Sequence, residues 1–160
     1  MKKIGFIGGM IYESSLLYYK YINDFVKEKL GGLNSGKILL DSLNMAEIAQ
    51  MQHEGKWQEL DEMLINSAKK LEAAGADCIL ILTNLMHICA PVIEKAVDIP
   101  LLHIADATAQ EIKAKDLSKV CLLGSEFTMN KDFYKGRLKE KHDIDCIVPQ
   151  GTDNKETSRI

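Results

Sequence analysis

Short apolar runs alternate with longer stretches of helical spacing over most of this chain. Lys3–Ile7 is an apolar run closed by Gly8-Gly9, the pattern of a short strand. From Tyr12 to Leu30 apolar residues fall at 16, 17, 21, 22, 25, 26 and 30, a helical period that Gly31-Gly32 ends. Lys37–Asp41 predicts a second strand, and Asn44 can cap a short helix running to about Gln52. Beyond Gly55, Trp57, Leu60, Met63, Leu64, Ala68 and Leu71 share one side of a longer helix that stops at Gly75. Asp77–Leu82 is the most hydrophobic strand. Apolar on both faces, it suits the centre of a parallel sheet.

The alternation continues. His87–Val97 predicts a helix, Pro100–His103 a short strand, Asp106–Ala114 a helix and Lys119–Leu123 a strand. Gly124-Ser125 forms a turn, Phe127–Glu140 is mostly helix, and Ile144–Val148 is a last strand ended by Pro149. From Gln150 the sequence is polar and starts no apolar period. Strands and helices in this order predict an α/β fold, a three-layer αβα arrangement around a parallel sheet with right-handed crossovers. A boundary near Ile104 separates a first lobe, 1–104, from a partial second lobe, 105–160, with only two strands. Core packing is the expected role for most of Tyr18, Tyr19, Phe25 and Trp57.

Composition narrows the function classes. The chain is 46% hydrophobic with a formal net charge of -3, and its 20 basic residues are scattered, which argues against a nucleic-acid or anionic-membrane stripe. No apolar stretch approaches a bilayer span, and Glu13 with the Tyr-rich segment after it argues against a signal peptide. Cysteines 78, 89, 121 and 146 form no CxxC, so buried free thiols in the reducing cytoplasm are expected.

The carboxyl ends of strands in an α/β sheet are where polar side chains and helix-start amides meet a ligand. Three such ends carry candidates: Gly8–Glu13, Thr83-Asn84 before His87, and Gly124-Ser125 with Thr128. Placed along one sheet edge, their hydroxyls, amides and backbone N–H groups suit a small carboxylate. GFIGG departs from the dinucleotide fingerprint, with Met10 at the third glycine position. The four histidines show neither HxH nor HExxH, so no metal site is expected. His103 at a strand end suits a buried hydrogen-bonding role. Cys78 and Cys89 sit away from the strand tip and read as core thiols.

MKKIGFIGGM with YES, TNLMH at 83–87, LHIADATA at 102–109, and LLGSEFTM with FYKGRL at 122–138 closely resemble the aspartate/glutamate racemase family. The resemblance implies a cofactor-independent enzyme with two pseudo-symmetric α/β lobes, in which two opposed cysteines remove and return the α-proton. The family's Cys-Asn-Thr-x-His motif maps onto Thr83, Asn84, Leu85, Met86 and His87. Thr83 takes the catalytic position, as in a branch specific for L-aspartate or L-glutamate. Asn84, Leu85, Met10, Gln52, Ser125 and Thr128 are the implied substrate contacts, supported by Glu13 and His87.

Three departures stand out. Leu85 replaces a threonine hydroxyl, Ile11 stands where a small residue commonly follows Met10, and Glu126 stands where relatives can carry a basic residue. Ser125 keeps the hydroxyl of the threonine it replaces. No Gly-Cys-Thr-Glu motif occurs, so the chain corresponds to the front two-thirds of the family sequence, the second lobe incomplete. The implied function is racemisation of a small acidic amino acid, aspartate or glutamate, by a homodimer, with no nucleic-acid or membrane partner. This segment alone is expected to be inactive. The alternative is a non-catalytic ligand-binding or dimerisation remnant of the fold.

Overall fold

The computed structural model describes residues 1–157. The chain divides into two compact units, Met1–Leu102 and His103–Ile160. In the first, β1 (Lys3–Gly8), β2 (Lys37–Ser42) and β3 (Cys78–Ile81) form a parallel sheet of order β2-β1-β3. β1 is the central strand. β3, the expected centre, has a single bridge on its far side, Ile79 to Leu101, which is all that forms of the strand expected at Pro100–His103. Ile79 satisfies both its backbone groups there, donating to Pro100 and accepting from Leu102 at 2.9 Å each. Pro100 has no N–H with which to extend the ladder.

Alternation along β1 sends successive residues to opposite faces. Phe6 meets Tyr18 of α1 (Tyr12–Leu30) edge to face, with ring centroids 6.4 Å apart. On the other face a Cβ at Gly5 would lie 3.2 Å from the Leu71 Cβ of α3 (Trp57–Ala73), so glycine lets this helix press close to the sheet. Helices therefore lie on both faces, the αβα layering expected. Leu60, Leu64, Ala68 and Leu71 of α3 are buried against Ile7, Ile79, Ile81 and Ile48, the last from α2 (Met45–His53). Each leucine and isoleucine among them contributes about 1.5–3 kcal/mol of burial. Asn44 caps α2, its side-chain oxygen accepting from the Ala46 N–H at 3.1 Å.

α1 departs from its expected role. Leu16, Leu17, Tyr19, Tyr21, Phe25 and Leu30 are exposed, and only Ser15 of the helix is fully buried. The helix expected at 87–97 is a 3₁₀ turn, Leu85–Cys89, running into one turn of α-helix, α4 (Ala90–Ile93). Pro91 inside it cannot donate to the preceding turn.

The second unit pairs β4 (Lys119–Cys121) with β5 (Asp145–Ile147) in parallel. One face carries Val120 and Cys146 against Ala105 and Ala109 of α5 (Ile104–Ala114) and Tyr134 and Leu138 of α7 (Asp132–His142). The helix expected over Phe127–Glu140 is two, α6 (Glu126–Asn130) and α7, separated at Lys131, whose backbone is extended. The polar segment after Gln150 holds a short helix, α8 (Thr152–Thr157), that no apolar period announced. Buried thiols were expected throughout, yet only Cys78 and Cys89 are buried; Cys121 is exposed and Cys146 half-buried. Alternation on a two-stranded sheet with one covered face explains Cys121.

Candidate active site

The strand ends of the first unit build one cluster. β1 passes into Gly9, whose φ of +81° is a conformation suited to glycine. A Cβ there would lie 2.3 Å from the Ser42 Oγ and 2.7 Å from the Leu43 backbone. The turn is fixed from two sides: the Gly9 N–H donates to the Ser15 hydroxyl at 3.0 Å, and Leu43 N–H to the Gly8 carbonyl at 2.8 Å. Ser15, 8% exposed, is a positioning residue that the sequence reading missed; its signal was a hydroxyl in the first helical turn after Gly-Gly. This geometry delivers Met10, buried, to the end of β3.

There the Thr83 hydroxyl lies 3.9 Å from the Met10 sulfur, a weak acceptor that leaves the Oγ1 lone pairs available. Thr83 is half-buried, Asn84 exposed and Leu85 half-buried. Gln52, near the end of α2, donates its amide to the Met86 sulfur at 3.4 Å. His87 is 1% exposed, and its Nδ1 lies 2.8 Å from the Thr83 carbonyl and 3.3 Å from that of Asn84. Carbonyls only accept, so Nδ1 carries the proton and donates. His87 therefore pins the backbone that presents Thr83, a supporting role. Glu13 points away into solvent on the first turn of α1, where its carboxylate raises the Tyr12 hydroxyl's pKa through a hydrogen bond.

Ser125 and Thr128 belong to the second unit, not to the edge of the first sheet as expected of one continuous sheet. Ser125 caps α6 by accepting from the Thr128 N–H at 3.4 Å, and the two hydroxyls are 3.0 Å apart. Ser125 is exposed and Thr128 buried. Two of the quoted motifs are also stitched together here. Asp106 of LHIADATA takes Nε and Nη2 of Arg137 from FYKGRL at 2.8 and 2.6 Å, and His142 Nε2 at 2.8 Å. Arg137, then partial burial opposing it, then His142 set the Asp106 pKa, which stays well below the usual carboxylate range.

The buried thiols do not offer a base. Burial, with Asp61 adding to it, pushes the Cys89 thiol far up, and burial raises Cys78 as well. Among the described residues no group of three or more His, Cys, Asp or Glu side chains could hold a metal ion. No described helix is long and apolar enough to cross a membrane.

A family model described as Asp/Glu/Hydantoin racemase matches residues 7–158. The chain belongs to this racemase family. It is 35% identical over 81 residues to the broad specificity amino-acid racemase RacX of Bacillus subtilis (strain 168), a match covering 51% of this chain and 35% of that relative. Its fold superposes on a crystal structure from Yersinia pestis named for the Asp/Glu racemases, with a TM-score of 0.96 and 50% identity. An aspartate racemase homologue from Pyrococcus horikoshii OT3 follows at 0.86 and 38%. Both alignments cover 100% of this chain and 70% of the solved one. A Picrophilus torridus aspartate racemase shares the fold, with a TM-score of 0.72 at 20% identity. The α/β architecture of this chain is thus the racemase architecture.

Proposed function

We propose that this racemase-family chain carries the first half of an acidic amino-acid racemase site, acting on aspartate or glutamate with the L-form favoured. The observation that carries the reading is the Thr83 hydroxyl at the tip of β3, its carbonyl pinned by buried His87 and its side chain against Met10. In this reading Thr83 faces the substrate α-carbon and the Asn84 amide holds the α-carboxylate. Met10, Gln52 and Leu85 line the rest of the site in the first unit. The reaction needs no cofactor: a base takes the α-proton and an acid on the opposite side returns one.

Chemistry divides the labour. A thiol has a pKa of about 8.5 and can be poised as a thiolate, whereas a threonine hydroxyl cannot serve as a base unaided. Thr83 accordingly relays or positions, and the stronger base comes from a segment with no counterpart among these 160 residues. The chain alone is inactive in racemisation, works as part of a homodimer and is cytoplasmic. A second reading, a ligand-binding remnant of the fold, draws support from Thr83 at the cysteine position and from the raised pKa values of the buried thiols. The two separate in a protein that also carries the Gly-Cys-Thr-Glu segment. There Thr83→Ala slows α-proton exchange by about 10²-fold or more, and Thr83→Cys broadens exchange to the D-enantiomer. Exchange at the parent rate in Thr83→Ala makes Thr83 a strand cap only.

A further inference from the structure

A polar pocket of about 250 Å³ opens in the second unit, walled by α6, α8 and the segment that follows β5. Val148 and Pro149 form its apolar side, and Asn130, Asn154 and Glu126 its polar one. Asn154 is 9% exposed, and its Nδ2 lies 3.2 Å from the Pro149 carbonyl and 3.3 Å from the Asn130 Oδ1. A carbonyl only accepts, so Pro149 fixes which end of the Asn154 carboxamide turns inward: the nitrogen, donating both protons. The Asn130 atom that faces this nitrogen is therefore its oxygen. What the two carboxamides keep is one donor group, the Asn130 Nδ2, and one acceptor, the Asn154 Oδ1. Among the described residues neither has a partner.

We propose that this pocket binds a small amino acid by its side-chain carboxamide, the chemistry of glutamine or asparagine. A primary carboxamide carries an acceptor oxygen and a donor nitrogen side by side, the complement of the Asn130 donor and the Asn154 acceptor. A carboxylate only accepts. It would satisfy Asn130 but set an oxygen lone pair against Asn154, and a polar site rejects an analogue that lacks a needed donor. Glu126 works in the same direction, its carboxylate on the wall attracting an α-ammonium and opposing a second carboxylate. An adjoining hollow that shares Glu126 and Asn130 adds Lys131, a cation for the ligand's α-carboxylate. The volume admits about ten non-hydrogen atoms with room for bridging water. Every lining residue belongs to the second unit, so the pocket owes nothing to the Thr83 cluster. Its ligand is the amide counterpart of an acidic amino acid, and the two carboxamides tell amide from acid.

NMR of the isotope-labelled chain tests the proposal, following side-chain amide signals during titration with L-glutamine, L-asparagine and L-glutamate to about 50 mM. The tighter of the two amides shifts the Asn130 and Asn154 carboxamide signals saturably, with a dissociation constant below about 10 mM. Glutamate binds there at least about tenfold more weakly. Asn130→Asp keeps the acceptor that holds Asn154 and removes the donor to the ligand, so amide binding weakens by about tenfold or more. Backbone signals check that the variant is folded, and the amide-to-acid ratio of the parent needs no variant. No saturation of the two asparagine signals, glutamate bound as tightly as the amides, or Asn130→Asp at the parent affinity overturns the proposal. So do shifts confined to the Thr83 and Asn84 signals, which would put the amide in the racemase cluster instead.

Discussion

Replacing Asp106 by asparagine tests what holds the second unit together. That unit has a small core, essentially Ala105, Ala109, Tyr134, Leu138 and Ile144, so the polar clasp between α5 and α7 carries much of the packing specificity. Asp106 receives two bonds from Arg137 and one from His142, all at 2.6–2.8 Å. Hydrogen bonds to charged groups contribute about 1.5–3 kcal/mol each when buried. The Asp106 side chain is 31% exposed, so solvent screening reduces the sum. Asp106→Asn is therefore expected to destabilise the unit by about 2–3 kcal/mol at neutral pH, and a double-mutant cycle with Arg137→Gln to give a coupling of about 1.5 kcal/mol.

The sign with pH follows from the carboxylate. Its folded pKa lies below the unfolded value of about 3.9, so its contribution is complete above that pH and is lost as pH falls toward the folded value. The gap between parent and Asp106→Asn should hold from pH 7 to about 5 and shrink below about 4. Two probes keep the units apart. Trp57, the one tryptophan, reports the first unit by fluorescence, and hydrogen exchange of peptides covering 104–114 and 132–142 reports the second. The variant should speed exchange in those peptides and leave the Trp57 transition in place. A loss below about 0.5 kcal/mol, or a gap that persists unchanged at pH 3, refutes the clasp.

Two further outcomes follow from the same geometry. Gly9→Ala, which combines a positive φ with a Cβ 2.3 Å from the Ser42 Oγ, should destabilise the first unit by about 2 kcal/mol or more in urea titration monitored at Trp57. Thiol titration of the folded chain should find Cys121 accessible, with Cys78 and Cys89 protected until urea unfolds the protein; rapid labelling of Cys89 in the native state would contradict its burial.

Local patterning made much of the fold legible. β1, β2 and the amphipathic face of α3 followed from period and glycine stops, and the Asn44 cap was readable because its partner is two residues away. What escaped depends on partners distant in sequence. The stripe of α1 announces an apolar face but not whether anything covers it. Asp106 and Arg137 are 31 residues apart, and no local period links them. The helix expected at 87–97 lost to Pro91, and the one at 127–140 to an extended Lys131. At the site, the strand-end position marked Thr83 and Asn84 as accessible, whereas the bond from His87 to the Thr83 carbonyl needed the three-dimensional turn.

The central claim is that Thr83 and Asn84 receive an acidic amino acid while the proton-transfer partner lies outside this chain. A single NMR sample tests both halves: the purified protein in deuterated buffer with L-aspartate, followed by the same experiment with L-glutamate. The account predicts saturable shifts of the Thr83 and Asn84 amide signals, recorded before back-exchange is complete, and a substrate α-proton signal that does not decay. Decay of that signal at an enzymatic rate, or amide signals at Thr83 and Asn84 unmoved by either amino acid, would contradict it.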